Sequence, residues 1–556
     1  MSAHYGHYKS EPHSIAAQIW GHRLRSGQHW MEYMLEFLSV LSGFDYRLGQ
    51  GLPQQADDEH YLARYRIPKR LGLRRFVFYD GREKTPDARD QRAAEELRRR
   101  LQAHLPDDAA HSEELIGQLR SLLRSFSAIE DDRSWYAKSL FPVHEEFLLW
   151  EALRKGSTLR RYAGDAGQLQ PAQLDREIEF FARNFFARGG ELYYLIISAG
   201  TEGDPERRQR ITGKLETLLR QRNQPLGALA RIINGAWDDL VADGEEQQVS
   251  GALGWILDPC CPLYRQIAED LDTFLDNDLD SLECLELLAH LIGFHIVCYI
   301  YHRAHPAGDP EGHASGSCLE ACLPPLLIDL LGDEDGGVLR ERSAALLRQQ
   351  EAWQLDRARE LVTAQIRSWA TAQPNDATLL GYLEQESRAY FRVGGTRAKG
   401  NYERALRELH VRYDQPDAER AALLRDFSAS IFETLSPDFR DNFLAVHSKL
   451  GRAIGLVAPR KGPRARFALG DTLLKTLVTA NLRPGQKLSF GDLLARLHRR
   501  YGIVVGPGEA HEAQLVERLR INEEYYARNR EALLVRMKRA GLVTQYSDAT
   551  ALVSRR

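Results

Sequence analysis

Cysteine and histidine side chains are concentrated in one part of this sequence. All six cysteines lie between residues 260 and 322, and five of the histidines share that interval. Thiolate sulfur and imidazole nitrogen are the usual ligands of structural zinc, which needs four of them. One face of a predicted helix over 281–304 has Cys284, Leu288, Leu291, His295, Cys298 and His302 at helical spacing. The two leucines and the lack of a Cys-x-x-Cys pair favour packed core side chains over a zinc site, so we assign no metal.

No motif of a common catalytic loop is complete in the chain. Gly213-Lys214 is followed by leucine where a phosphate-binding loop needs serine or threonine, and Arg208 stands where its first glycine belongs. His144-Glu145 lacks the second histidine that a metalloprotease helix would place at 148. The Gly-x-Ser-x-Gly turn of serine hydrolases does not occur. The sequence therefore predicts no catalytic residue and no cofactor.

Charge is distributed unevenly along the chain. The 556 residues have a formal net charge of −4. From residue 449 to residue 556 there are 21 Lys and Arg against 9 Asp and Glu, a net of +12 that leaves −16 for residues 1–448. A basic end of this kind suggests contact with nucleic acid, and an acidic remainder suggests contacts with proteins.

Apolar spacing predicts a mainly α, multi-domain helical protein with a small N-terminal α/β portion. The predicted units are 1–95 (mixed α/β), 96–255 (helical), 256–455 (helical, with the cysteine and histidine cluster), 456–469 (a basic linker) and 470–556 (a small C-terminal domain). Helices are predicted over 13–43, 206–241, 262–276, 281–304, 338–372, 378–392 and 400–412. Strands are predicted over 61–67 and 75–80, while the apolar run 191–197 suits either a strand or a helix.

Residues 470–556 divide into a regular succession of elements. A helix follows Asp471, and Ser489 is a suitable N-cap for a second helix over 490–501. A longer helix runs from Glu523 and ends at Gly541, and two short strands follow within 542–553. This order resembles winged helix-turn-helix domains and implies a C-terminal winged-helix domain. An extra helical stretch over 509–521 departs from that family and leaves the start of the recognition helix open.

The resemblance implies that the last helix enters the major groove of DNA. Side chains early in this helix are then predicted near base edges, and later basic ones near phosphates. Arginines that end the preceding helix are predicted at a flanking phosphate, and basic linker residues along a minor groove. The residues predicted near base edges are Tyr526, Asn529 and Arg530, and those predicted near phosphates later in the helix are Arg536, Lys538 and Arg539. The arginines predicted at the flanking phosphate are Arg499 and Arg500. The linker residues predicted along the minor groove are Arg460, Lys461, Arg464 and Arg466. Contact with protein alone is the alternative for this domain.

The segment 15–38 has Trp30, Met34, Phe37 and Leu38 at the spacing of a helix that faces a core. It resembles the opening of uncharacterised subunits of multi-gene bacterial anti-phage defence systems of the Druantia or methylation-associated type. The resemblance implies a role in such a system. Together with the incomplete catalytic motifs and the uneven charge, it leads to the hypothesis of a non-catalytic subunit that docks other protein subunits through its acidic helical body and holds double-stranded DNA. The alternatives are a metal-dependent nuclease of the same kind of system and a winged-helix transcriptional regulator.

Neither a leader nor a membrane span is predicted. The first nine residues are polar, and the apolar run 287–301 is interrupted by His290 and His295. This run is shorter than the ~20 residues that cross a bilayer, so a buried helix is the better interpretation. We therefore expect a cytoplasmic protein without membrane contact.

Overall fold

The structure is a computed structural model that describes most of the chain. Described are residues 24, 27–50, 64–67, 72–79, 88–103, 109–130, 138–149, 189–238, 249–252, 256, 258–305, 323–391, 396–413, 419–440, 444–459, 464–546 and 551–555. Over these residues the fold is mainly helical, as apolar spacing predicts.

Nineteen α-helices occur in the described ranges. They are α1 Trp30–Gly43, α2 Gly72–Phe78, α3 Ala88–Gln102, α4 Ala109–Arg124, α5 Gly189–Gly200, α6 Pro205–Glu216, α7 Gln224–Asp238, α8 Pro262–Leu275, α9 Ser281–Ala304, α10 Val338–Ala372, α11 Asp376–Phe391, α12 Thr396–Tyr413, α13 Arg420–Phe439, α14 Ala445–Ala453, α15 Asp471–Asn481, α16 Phe490–Tyr501, α17 Pro507–Glu512, α18 Leu515–Leu519 and α19 Glu523–Arg539. A π-helical turn over Thr217–Gln221 separates α6 from α7 within the predicted helix 206–241. The helices predicted from 262 to 412 are confirmed as α8 to α12.

The strands are short and form several small sheets. They are β1 Arg64–Ile67, β2 Ser127–Ile129, β3 Ser139–Leu140, β4 Val249–Ala252, β5 Leu326–Leu327, β6 Val457–Ala458, β7 Arg466–Phe467, β8 Lys487–Ser489, β9 Ile503–Val504, β10 Val543–Gln545 and β11 Ala551–Ser554. Antiparallel pairs join β1 to β4, β2 to β3 and β6 to β7, and β5 pairs in parallel with β9. The fifth sheet has three strands, in the order β10-β11-β8.

Helix α9 is the centre of the core. The side chain of Asp280 caps its start by accepting hydrogen bonds from the backbone N–H groups of Leu282 (2.9 Å) and Glu283 (3.1 Å). Helices α1, α5, α8, α10, α14 and α15 pack against it. Among the described helices, α9 alone is long and apolar enough to cross a membrane. Of its most apolar 18-residue stretch, 94% is buried inside the protein. A helix that is apolar on every face suits such a position.

Two apolar segments near the N-terminal part fold as helices. The strand predicted over 75–80 is wrong, because residues 72–78 form α2, which packs on α7. The backbone N–H of Leu73 at its start donates to Asn234 Oδ1 on α7 (2.8 Å), and a partner of this kind satisfies an otherwise unpaired helix terminus. Residues 191–197, which suit either structure, belong to α5. Its start is stabilised from α1, since Glu36 Oε2 accepts from the Gly190 N–H (2.7 Å).

The described residues share one hydrophobic core that extends from Leu24 to Val553. Strand β1 pairs with β4, so the first 95 residues share a sheet with residues 249–252. Met34, Phe37 and Leu38 are fully buried in α1, as their spacing predicts. The boundaries predicted after residues 95, 255 and 455 therefore fall within one continuous core of the described residues.

We call residues 471–555 the C-terminal unit. Ser489 caps α16, since its Oγ accepts from the Asp492 N–H (3.0 Å) as predicted. Helix α19 ends at Arg539, and Gly541, two residues later, has φ +69°. The Leu542 N–H donates to the Met537 carbonyl and the Gly541 N–H to that of Lys538, both at 2.9 Å, which closes the helix with a Schellman motif.

Segment 456–469 differs from the extended linker that its composition predicts. Its described residues, 456–459 and 464–469, contain the paired strands β6 and β7. Leu456, Val457 and Phe467 are buried in the core. Buried apolar residues thus hold both described parts of this segment against the body, where β6 and β7 pair with each other.

The C-terminal unit is joined to the body by backbone pairing and by one buried amide. Strand β9 of the unit pairs side by side, in parallel, with β5 of the body. Asn529 on α19 is fully buried, and its Oδ1 accepts from the Leu330 N–H at 2.9 Å. Its Nδ2 donates to the carbonyls of Ile328 and Val505, also at 2.9 Å. One side chain therefore satisfies three backbone groups at the β5–β9 junction.

The substitution Asn529→Ala tests this anchor. It leaves three buried backbone groups without partners, and we expect a loss of about 2–3 kcal/mol in the free energy of unfolding measured by urea titration. Asn401→Ala, on an exposed helical surface, is the control and should change the unfolding free energy by less than about 0.5 kcal/mol. Equal stability of the two variants would contradict the anchoring role.

Candidate anion-binding cleft

A cleft of about 560 Å³ lies where the C-terminal unit meets the body. Helices α6 and α8 contribute one wall, and α15, the turn after it and α16 contribute the other. Six arginines and three carboxylates line it, namely Arg207, Arg265, Arg483, Arg496, Arg499 and Arg500 with Glu269, Asp270 and Asp272. The chemistry of the cleft depends on which of these charges are paired.

Two of the carboxylates are neutralised from the body side. Asp272 is buried and accepts from Arg210 at 2.8 Å, with Lys214 Nζ at 3.6 Å. Hydrogen bonding to Asp272 raises the pKa of the Arg210 guanidinium. Glu269 lies 3.6 Å from Arg207. Each carboxylate also approaches one arginine of the opposite wall, since Asp272 lies 3.9 Å from Arg483 and Glu269 lies 3.5 Å from Arg500, but neither forms an ion pair with Arg496 or Arg499.

The third carboxylate, Asp270, is the centre of a buried network. Its Oδ1 accepts from Arg500 Nη2 on α16 at 2.5 Å, and its Oδ2 lies 3.3 Å from His295 Nε2 on α9. His295 Nδ1 in turn contacts the Tyr193 hydroxyl of α5 at 3.0 Å. Arg500 also donates to the Gln266 carbonyl at 3.2 Å. The network joins three helices of the body to α16.

Burial and charge act in opposite directions on Arg500. Burial disfavours its charged form, but the negative charge of Asp270 and the hydrogen bond to it prevail and raise the pKa of the guanidinium. The neighbouring Tyr501 is fully buried, which raises the pKa of its hydroxyl well above 10. This hydroxyl accepts from Asn481 Nδ2 at 2.9 Å. Arg500 is thus permanently cationic and paired.

Four arginines around the cleft remain without a close carboxylate among the described residues. Arg265 on α8 and Arg499 on α16 are exposed. Arg483, in the turn after α15, is 3.9 Å from the already neutralised Asp272. Arg496 donates to the Asn481 carbonyl at 2.6 Å, at the C-terminal end of α15. Guanidinium groups on both walls, with a surplus of positive charge, are suited to bind a phosphate or a similar anion.

Only part of the predicted DNA-binding set lies at this cleft. Arg499 lines it and is exposed, which is compatible with the predicted phosphate contact. Arg500 also lines it, but its guanidinium is held by Asp270, so the prediction of a phosphate contact there is corrected to a structural ion pair. The pairing could not be inferred from spacing, since Asp270 is 230 residues away in the chain.

The early part of α19 does not present the predicted base-reading side chains. Tyr526 and Asn529 are both fully buried, so the prediction that they lie near base edges is wrong. Burial raises the pKa of Tyr526 to about 12. The third of these residues, Arg530, is exposed, and its guanidinium lies over the Phe490 ring at 5.5 Å. Apolar and amide side chains turn this helix face towards the core.

Several other predicted phosphate contacts are paired. Arg536 forms an ion pair with Asp471 at 2.5 Å, and Arg466 with the buried Asp329 at the same distance. The pair of Arg466 with a fully buried carboxylate is structural, in correction of the predicted role, whereas Arg536 pairs with an exposed carboxylate and its phosphate contact stays a prediction. Arg464 and Arg539 are exposed and Lys538 is half-buried, whereas Arg460 and Lys461 lie outside the described residues.

Four cleft arginines were missed by the sequence prediction. Arg496 had a detectable signal, because it precedes Arg500 by one helical turn and shares a face with it. Arg483 follows directly after the predicted first helix of the C-terminal unit. Arg207 and Arg265 lie in the acidic part of the chain, and only the packing of α6 on α8, and of α8 on α15, brings them to the cleft.

Three of the four described cysteines are buried in the core, whereas Cys260 is exposed. Cys284 and Cys298 are buried in α9, where burial raises the thiol pKa of each. Cys261 Sγ lies 3.2 Å from His302 Nε2. The described residues include no group of three His, Cys, Asp or Glu side chains placed to hold a metal ion. Cys318 and Cys322 lie outside these residues.

Comparisons with known proteins yield no relative. No family model, no curated protein and no solved structure matches the chain. The geometry and charge of the cleft are therefore what bears on function.

Asp270→Asn tests the buried network. The change leaves Arg500 without its counter-ion, and we expect the free energy of unfolding to fall by about 3 kcal/mol in a urea titration. The adjacent Glu269→Gln is the matched control, since this half-exposed carboxylate also lies near Arg500 at 3.5 Å. It should cost less than about 1 kcal/mol. Similar losses of unfolding free energy in both variants would show that the contact between the body and the C-terminal unit does not depend on Asp270.

Proposed function

We propose that the protein is a non-catalytic, DNA-binding and scaffolding subunit that holds the phosphate backbone of double-stranded DNA at the arginine cleft. The observation that carries this proposal is the surplus of guanidinium groups on two facing walls, with Arg265 and Arg499 exposed and free of ion pairs among the described residues. Phosphate contacts dominate the affinity of proteins for DNA, and arginine forms them with well-defined geometry.

We further propose that the C-terminal unit is a winged-helix domain. The succession of α15, β8, α16, α19, β10 and β11 supports this, with β9, α17 and α18 inserted between α16 and α19, and so does the strand order β10-β11-β8. Its last helix would not read bases in the usual way, because Tyr526 and Asn529 are buried and the exposed start of α19 carries Glu523 and Glu524. Backbone contacts position a protein without reading sequence. We therefore expect binding with little sequence preference.

The assignment to a multi-subunit anti-phage system in the cytoplasm rests on the resemblance of segment 15–38. Residues 15–23 of this segment lie outside the described residues. Residues 25 and 26 also lie outside them, and helix α1, which contains residues 30–38, packs on α5 and α9, so this part of the segment is also a core element. In this proposal other subunits supply the catalytic activities, and the present chain supplies the DNA contact and the scaffold.

The double variant Arg265→Ala/Arg499→Ala tests the DNA contact. We expect its Kd for a fluorescein-labelled duplex to rise about tenfold in an anisotropy titration, which corresponds to about 1.4 kcal/mol. The slope of log Kd against log salt concentration should decrease by about 2, because two phosphate contacts are lost. Two duplexes of unrelated sequence should give the same result.

The control is Arg404→Ala/Arg407→Ala, which removes the same charge from exposed positions of α12. Its Kd and salt slope should match those of the unchanged protein. Equal weakening by both double variants, or by neither, would refute binding at the cleft. Cleavage of plasmid DNA by the pure protein with Mg²⁺ or Mn²⁺ would favour the nuclease alternative instead.

A further inference from the structure

A second groove lies between two long helices of the acidic body. Helices α10 and α13 pack side by side. Near one end, the Arg359 guanidinium lies 4.7 Å from the centre of the Phe432 ring. Towards the other end, Arg420 donates to the carbonyls of Ala370 and Gln373. The helices are therefore antiparallel, and a groove of about 1090 Å³ follows them.

The groove has an apolar floor and a basic rim. Ala370, Leu424 and Phe432 contribute to the floor, where the Phe432 side chain is almost fully buried. Among the described residues that line the groove, a single carboxylate, that of Glu433, stands against five rim arginines, which are Arg359, Arg367, Arg420, Arg425 and Arg440. This concentration of positive charge occurs within the part of the chain whose formal charge is −16.

Two rim arginines form no ion pair among the described residues, so their guanidinium groups can contact a ligand. Arg359 is paired with Asp356 at 3.1 Å, Arg420 is paired with Asp376, and Arg425 lies beside Asp426. Arg367 and Arg440 are exposed, and neither forms an ion pair among the described residues.

We infer that this groove docks an acidic amphipathic helix of a partner protein. The stretch of α10 from Arg359 to Thr371 lines the groove, and its twelve-residue rise spans roughly 18 Å, or about three helical turns. An apolar stripe at i, i+3, i+4 and i+7 fits the floor, and flanking Glu or Asp residues reach the rim arginines. Duplex DNA offers no apolar stripe for such a floor. Docking here is independent of DNA binding at the cleft.

A designed peptide tests the inference on the full-length protein. The probe is a fluorescein-labelled 16-residue helix with leucines at i, i+3, i+4 and i+7 spacing and glutamates on its remaining face. A second peptide has the same composition with the leucines distributed around the helix, and a third has lysine in place of glutamate. We expect the first peptide to bind in an anisotropy titration and the other two to bind at least tenfold more weakly.

Variants locate the binding to the groove. Arg367→Glu/Arg440→Glu should weaken binding of the first peptide at least tenfold, while Arg404→Glu/Arg407→Glu on α12 should leave it unchanged. Arg265→Ala/Arg499→Ala should also leave it unchanged, which separates this groove from the cleft. Circular dichroism melting curves of each variant verify that the fold is retained.

Four outcomes would overturn the inference. The first peptide could bind no better than its rearranged form, or the groove variant could bind it as well as the unchanged protein. The groove variant could lose affinity for duplex DNA and not for the peptide, which would assign the rim to nucleic acid. A dimer in sedimentation that the groove variant abolishes, without peptide binding, would assign the groove to a second copy of the chain.

Discussion

A carboxylate at the seam between the body and the C-terminal unit constrains much of this structure. Asp270 is only 1% exposed. An ion so removed from water is tolerated only where cations and hydrogen-bond donors surround it. One such cation, Arg500, comes from α16 of the C-terminal unit, and His295 of α9 lies on the other side of the carboxylate. The position of α16 is therefore fixed relative to α8 by charge neutralisation as well as by apolar contact.

The cleft follows from that constraint. Once Arg500 is held against α8, Arg496 and Arg499 on the same helix lie opposite Arg265. The guanidinium groups repel one another, and the three carboxylates, of which Asp272 is paired mainly with Arg210 outside the cleft, offset the charge of the six arginines only in part. An anion from solution relieves it, which is the physical basis for a phosphate site. The buried pair thus supports the seam, and the exposed arginines next to it supply the binding capacity.

Local charge differs from segment charge in this protein. The acidic part of the chain contributes Arg207 and Arg265 to the cleft, and it also contains the arginine rim of the α10–α13 groove. The basic end uses several of its cations internally, as Arg466 does with Asp329 and Arg536 with Asp471. Counting charges along the chain indicates that opposed surfaces exist. It does not indicate where they are, because ion pairs form between residues far apart in sequence.

Local pattern determined the helices of this chain, and tertiary contact determined its sites. The helical spacing over 281–304 and 338–372 predicted α9 and α10 to the residue, and the cap at Ser489 predicted the start of α16, because these signals depend on neighbours within one turn. The strand propensity of residues 75–80 was overridden by packing of α2 on α7. Tyr526 and Asn529 are residue types that often contact nucleic acid. Both nevertheless lie on the side of α19 that packs against the rest of the protein, and both are buried. A sequence shows which residues share a helix face, but only the packed neighbours show whether that face meets water or protein.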